Sequence, residues 1–300
     1  MKLPSYSDLP GHDARGLFGP DDTLGSLNRL TPSVVRAAAS AIRTGTTFSL
    51  NAPVDWPRPG IYGRQAPSHH VIELEPGTTW DDYLDGFYLQ GSSQWDSFRH
   101  AFDLEVGLYN GLPADRAGIE SWAARGIAGR GVLLDVARSR ESSGAPLAFD
   151  RRDVISVADL ELCAERQGVT LRDGDILLVR VGWTTGYEAA DASRHLELSK
   201  SVDWAAPGLA AGDDMAAFLW DTGIAAVATD GPALEAFPIE GEFLHHKLLG
   251  RLGIPIGELW WLDALADACA SDGSWEFFFT SAPLNVPGGI GSPANALAIK

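Results

Sequence analysis

Apolar residues along the chain gather in short runs separated by glycine, proline and polar clusters, and the runs follow two different periods. GRGVLLDVA from Gly129, GDILLVRVGW from Gly174 to Trp183 and GIAAVATD from Gly223 to Asp230 are continuous apolar stretches of strand length. Glycine bounds each, as expected of strands buried on both faces. Between and after them the period lengthens. Ser156 caps a predicted helix to about Gln167, Asp213 to Thr222 has helical spacing, and Phe243 to Arg251 and Leu262 to Cys269 read as helices. Upstream, Thr31-Pro32 starts a helix to about Arg43, because threonine suits the cap and proline the first helical position. Thr46 to Asn51 reads as a strand, and Pro53 to Pro67, with four prolines and two glycines, as an extended loop. Val71 to Leu74 and Tyr88 to Gln90 are strand candidates flanking an acidic turn at Trp80 to Tyr83. A short helix at Glu120 to Arg125, an extended Ile254 to Ile256 and a strand at Glu276 to Thr280 complete the pattern. Strands alternating with helices predict an α/β fold, with mixed pairing because several connections are short. With no repeat or linker composition, one domain is expected, covering residues 33–300, and residues 1–32 form a loop-rich arm packed on the body or a neighbouring subunit.

Composition narrows the function. The 300 residues are 45% hydrophobic and 21% charged, which suits a globular chain large enough to fold without disulfides or a structural metal. Forty acidic against 23 basic residues give a net charge of −17, which repels phosphate backbones and anionic headgroups and argues against nucleic acid and membranes as partners. Cys163 and Cys269 lie far apart without a CxxC pattern and read as buried thiols. MKLPSYSDLPGHDARG lacks an apolar signal core, and no uncharged apolar stretch of 18 residues occurs, so a cytoplasmic protein is expected. Gly288 to Gly291 resembles a phosphate loop only superficially, since no helix with a lysine follows it.

Two polar clusters carry the candidate chemistry. Gln90-Gly-Ser-Ser-Gln94-Trp95-Asp96-Ser-Phe-Arg99-His100 follows a strand candidate and has no apolar period. If the segment is a strand leading into a turn, Asp96 and His100 converge on one cation, and oxygen with imidazole nitrogen suits zinc, manganese or iron. The plain alternative makes Asp96 the cap of a helix from Ser97. The second cluster, Glu242-Phe-Leu-His245-His246, is followed by Glu258 at the mouth of a short strand. Adjacent helical histidines point about 100° apart, so only one of the pair is expected to face a site.

Together the clusters resemble the cyclase family of metal-dependent hydrolases, which includes bacterial kynurenine formamidase and isatin hydrolase. Its signature His-x-Gly-Thr-His-x-Asp-x-Pro-x-His, with a later His and a Glu twelve residues beyond, places its Asp on Asp96 and its last His on His100. The spacing of twelve selects His246 over His245 as the partner of Glu258. LPSYSDLP, GLFGPDDTLGSLNRLTP, SSQWDSFRH, RGIAGRGVLLD and PLNVPGGIGSPANALAI look like a subgroup with a Ser-Gln-Trp-Asp core, so the resemblance spans nearly the whole chain. Gln90 and Gln94 replace the first two histidines, Ser92-Ser93 the Gly-Thr, and Phe98 the proline. Because amides are weak ligands, the resemblance implies one ion, zinc or manganese, held by Asp96, His100, His246 and Glu258.

That resemblance implies a compact domain of mixed sheets in the swivelling β/β/α arrangement, assembled as a homodimer or homotetramer. It also implies hydrolysis, with a metal-activated water attacking an amide, lactam or ester carbonyl of a small aromatic or apolar substrate. Gln94, Ser92 and Ser93 are candidate donors to the oxyanion, and His245, His70 or Glu258 candidate proton carriers. The aromatic supply, Trp56, Tyr62, Trp80, Tyr88, Trp95 and Phe98, with Gln90, is expected to line the substrate pocket. Cyclisation, dehydration or isomerisation of a secondary metabolite, or silent ligand binding in the same pocket, are the alternatives.

Overall fold

A computed structural model describes residues 3–200 and 204–300. Thirteen strands form among them: β1 Thr47–Ser49, β2 Ser68–Glu75, β3 Thr79–Asp85, β4 Gln94–Asp96, β5 Ile127–Asp135, β6 Val154–Ile155, β7 Ile176–Arg180, β8 Gly208–Leu209, β9 Ala226–Thr229, β10 Ile256–Glu258, β11 Glu276–Ser281, β12 Gly291–Pro293 and β13 Ala296–Ile299. Nine of them make one sheet in the order β1-β13-β11-β5-β7-β9-β10-β4-β12. Its centre, β5-β7-β9-β10, is parallel and both flanks are antiparallel, so the pairing is mixed. The three apolar runs of the sequence are β5, β7 and β9, and their burial on both faces explains why they show no alternation.

Eight α-helices occur among the described residues: α1 Pro32–Ala38, α2 Glu120–Arg125, α3 Val136–Ser142, α4 Val157–Gln167, α5 Trp183–Ala189, α6 Ala192–Lys200, α7 Asp213–Asp221 and α8 Asp263–Asp272. α4 begins with a full capping box, in which the Ser156 hydroxyl accepts from the Asp159 amide and the Asp159 carboxylate accepts from the Ser156 amide. α1 ends earlier than its periodicity suggests, continuing as a 3-10 turn at Ala39–Ala41. The segment His246–Leu252 is a π-helix, not the α-helix expected of it. Among the described residues no helix is long and apolar enough to cross a membrane.

β2 and β3 depart most from the sequence reading. Trp80 to Tyr83 is not a turn but part of β3, which pairs with β2 in a hairpin reversing near Gly77. Every residue of both strands is exposed, including Val71, Ile72, Leu74, Trp80, Tyr83 and Leu84. With no buried face the period carried no information on which side packs. Residues 3–31 lie along the body. The Tyr6 hydroxyl donates to Asp213 at 2.9 Å, Trp220 Nε1 to the Pro4 carbonyl at 2.9 Å, and the Ala14 and Ser26 amides to the Arg251 and Gly253 carbonyls at 2.9 and 2.7 Å.

Candidate functional site

β4 is only three residues long, yet all three are buried, because β10 and β12 flank it on either side. Gln94 lies opposite Glu258 and Asp96 opposite Ile256, so one register sets the spacing of three polar side chains. Asp96 is the last residue of the strand, and a turn from Ser97 brings His100 back over it; the Ser97 amide is tied to the Ile290 carbonyl at 3.0 Å. This is the strand-into-turn geometry, and no helix starts at Ser97. Gly291, opposite Asp96, has no side chain for a reason: a Cβ there would lie 2.5 Å from Gln90 Cγ and 2.7 Å from the Trp95 carbonyl. The glycine run near the C-terminus therefore makes room for Gln90 over the strand.

The imidazole that joins Asp96 and His100 is His245. Asp96, His100 and His245 each offer a ligand atom within 4.8 Å of the others. His245 Nε2 lies 3.1 Å from Glu258 Oε1 and 4.0 Å from Asp96 Oδ2, and His100 Nδ1 lies 3.8 Å from Asp96 Oδ1. On its other side His245 Nδ1 sits 2.7 Å from Glu235 Oε2. Glu258 is fixed by the Leu234 amide at 3.0 Å and the Gln94 side-chain amide at 2.9 Å. The Gln90 amide nitrogen contacts Asp96 Oδ1 and lies 2.9 Å from His100 Nδ1, while Arg64 holds the Gln90 carbonyl. Asp96 Oδ2 and Gln94 Oε1 are buried with no hydrogen-bond partner.

Burial raises the Asp96 carboxyl above its ordinary value, although His100 and His245 pull against it. For His245 burial disfavours the charged ring, but Glu235 and Glu258 outweigh it and hold the imidazole well above its usual range. Glu235 shows the converse: burial would raise it, and His245 brings it below the ordinary carboxylate value. A carboxylate-rich pocket that favours positive charge is the electrostatic setting a cation needs.

Several expected site residues lie elsewhere. His246 is corrected: it lines a separate cavity of about 400 Å³ with Tyr6, His12, Asp103 and Arg251. The physical reason is the π-helix after it, whose i→i+5 bonding accommodates one more residue than an α-helix and shifts the inward position back to His245. Trp95 and Phe98 are fully buried core, stacked edge-on against Trp260 and Trp122. Trp56 is likewise core, packed among Trp183, Tyr187 and Trp261 with its Nε1 donating to Glu188. His70 stacks on Tyr83 in the exposed hairpin, 4.7 Å between rings, and Trp80 and Tyr88 are also exposed. Ser93 accepts from the Ala52 amide and donates to the Leu259 carbonyl, and Ser92 donates to the Pro53 carbonyl, so both hydroxyls tie loops instead of facing a substrate. Gln94 gives its amide N–H to Glu258, and the atom it leaves unpaired is an acceptor, not an oxyanion donor.

Gln90 does reach the site; the Tyr62 hydroxyl donates to the Pro232 carbonyl at 3.3 Å and is pushed upward by burial and by Glu258, Glu235 and Asp96, against Arg64. Sequence reasoning missed Glu235 and Arg64. Arg64 lies in the proline-rich loop, whose irregular path has no period to read, and Glu235 follows β9 in a stretch with no motif.

The model of the family described as "Putative cyclase" matches residues 42–236. A solved structure of a novel cyclase is 35% identical, covers 96% of this chain and 99% of its own, and superposes with a TM-score of 0.85. Isatin hydrolase A from Labrenzia aggregata, solved with benzyl benzoate, is 17% identical over 91% of this chain and 98% of its own, with a TM-score of 0.60. A predicted metal-dependent hydrolase from Bacillus stearothermophilus is 18% identical over 84% and 97%, with a TM-score of 0.51. No curated protein matches the sequence.

Proposed function

The chain belongs to the cyclase family, and from that premise we propose that it is a metal-dependent hydrolase holding one divalent cation, zinc or manganese. One observation carries the reading: Asp96, His100 and His245 converge within 4.8 Å around a buried Asp96 oxygen that none of the described residues satisfies. Two imidazoles with a carboxylate fit either metal, and Glu258 stands beside them, 3.1 Å from His245. When bound, such a cation polarises a carbonyl oxygen and lowers the pKa of a water toward about 7.

The chain's own groups do the rest. Glu258 takes or gives the proton, because His70 is remote and His245 belongs to the ligand set. Gln94 fixes Glu258 through its N–H and offers Oε1 to an N–H or O–H of the substrate. The Phe243 ring, 4.7 Å from His245, and Tyr62 against Phe237 and Trp204 give the site flat apolar walls. They suit a small aromatic or apolar amide, lactam or ester. The exposed hairpin belongs to the same reading as the contact between copies in a homodimer or homotetramer, since two strands alone are marginally stable and its apolar side chains need cover.

The test is mass spectrometry of aryl formamides, isatin-type lactams and aryl esters incubated with the zinc- or manganese-loaded protein. Gain of one water is the expected result. A product of unchanged mass makes the reaction a cyclisation or isomerisation, and tight binding without turnover makes the chain a binding protein.

A further inference from the structure

Glu235 is not part of any motif, yet it is in close contact with a member of the candidate ligand set. Its Oε2 lies 2.7 Å from His245 Nδ1, an ion-pair contact set off the direction of a hydrogen bond that leaves both buried atoms without another partner among the described residues, and its Oε1 accepts from the main-chain amide of the same histidine at 3.3 Å. One carboxylate therefore grips both the ring and the backbone of a single residue. Glu235 is itself held: the Ala236 amide donates to the Leu209 carbonyl at 3.0 Å, and the Leu209 amide to the Leu234 carbonyl at 2.9 Å. The approach is so close that a Cβ on Gly208 would lie 2.3 Å from the Glu235 carbonyl carbon. The Phe243 ring lies 4.7 Å from the His245 ring, tilted by 31° to it. A buried carboxylate is costly unless it is paired, and among the described residues the side-chain partner of Glu235 is His245.

We propose that Glu235 is the positioning residue for His245, keeping a proton on Nδ1 and turning Nε2 toward Asp96 and Glu258. The cation-binding part of this inference rests on the metal-dependent reading above; the ring orientation does not. A ligating histidine whose second nitrogen donates to a carboxylate is fixed in one tautomer and made more basic, and loss of such a partner typically costs about 10–100-fold in metal affinity.

The experiment compares the full chain with Glu235→Leu and Glu235→Gln. Histidine nitrogen-proton spectra are recorded with and without zinc, the His245 signal being assigned by its loss in His245→Gln, and zinc affinity is measured by competition with a chromogenic chelator. Circular dichroism establishes that each variant is folded. The wild type is expected to show a low-field, exchange-protected Nδ1 proton on His245 in both states. Glu235→Leu should lose that signal and bind zinc about 10–100-fold more weakly, and Glu235→Gln, which keeps an oxygen acceptor, should recover most of the affinity. A wild type without the Nδ1 proton, or a folded Glu235→Leu with unchanged affinity, overturns the proposal. If Glu235→Leu does not fold, the wild-type spectrum and the affinity of Glu235→Gln decide. If the wild type binds no zinc, the metal reading fails by itself, and the Nδ1 proton still sustains or overturns the role of Glu235.

Discussion

His245 and His246 are chain neighbours with different surroundings, and the contrast gives the sharpest single-residue prediction. His245 is buried against Glu235 and Glu258, whereas His246 opens on a cavity beside Asp103 and Arg251. Replacing His245 with alanine should weaken zinc or manganese binding at least about 100-fold, since a ligand and its charge partner are lost together. His246→Ala should stay within about threefold of wild type, as expected of a residue outside the ligand set. Titration of both variants with zinc checks the pair, and the opposite ranking would restore the spacing of twelve as the guide. Asp96 and His100 were legible because carboxylate and imidazole stand four apart on a segment without apolar period. The choice between the histidines was not, because a count of residues presumes an α-helix and His246–Leu252 is π-helical. Glu235 was silent for another reason: its partner is ten residues on, across a loop whose path only the fold determines.

Among the elements, continuous apolar runs located β5, β7 and β9, and a capping signal located the start of α4. What stayed hidden was short or without contrast. β4 has three residues, β6 and β8 two each, and the β2–β3 hairpin has no buried face to create alternation. The α4 cap also predicts a pH effect. Burial would raise the Asp159 carboxyl, but the Ser156 hydroxyl and amide together with Arg140 outweigh it, leaving the folded-state pKa below the ordinary value. A depressed carboxylate contributes stability that is present above its unfolded pKa of about 4 and is lost as pH falls through the lower folded value. Asp159→Asn should therefore cost about 1 kcal/mol at neutral pH, and the gap from wild type should narrow on acidification to about pH 3. Urea unfolding of both proteins at the two pH values measures it; a gap that widens in acid would contradict the capping account.

For the whole molecule, the mixed sheet explains how a site can be assembled from distant segments. The parallel centre delivers β10 beside β9, and the antiparallel β4 and β12 close over it, so residues near positions 94, 235, 245 and 258 meet. At the same scale, the exposed hairpin predicts self-association. Light scattering should give a dimer or tetramer, and replacing Val71, Leu74 and Trp80 with serine should shift it to monomer with the fold intact, since these apolar side chains have no cover among the described residues. A wild-type monomer would remove the hairpin as an interface. The central claim is the cation, and elemental analysis reaches it most directly. The chain, purified without chelator, is measured beside an Asp96→Ala, His245→Ala double variant. About one equivalent of zinc or manganese in the wild type, absent from the variant, is the predicted result. No metal in either protein, even after incubation with both ions, would contradict it.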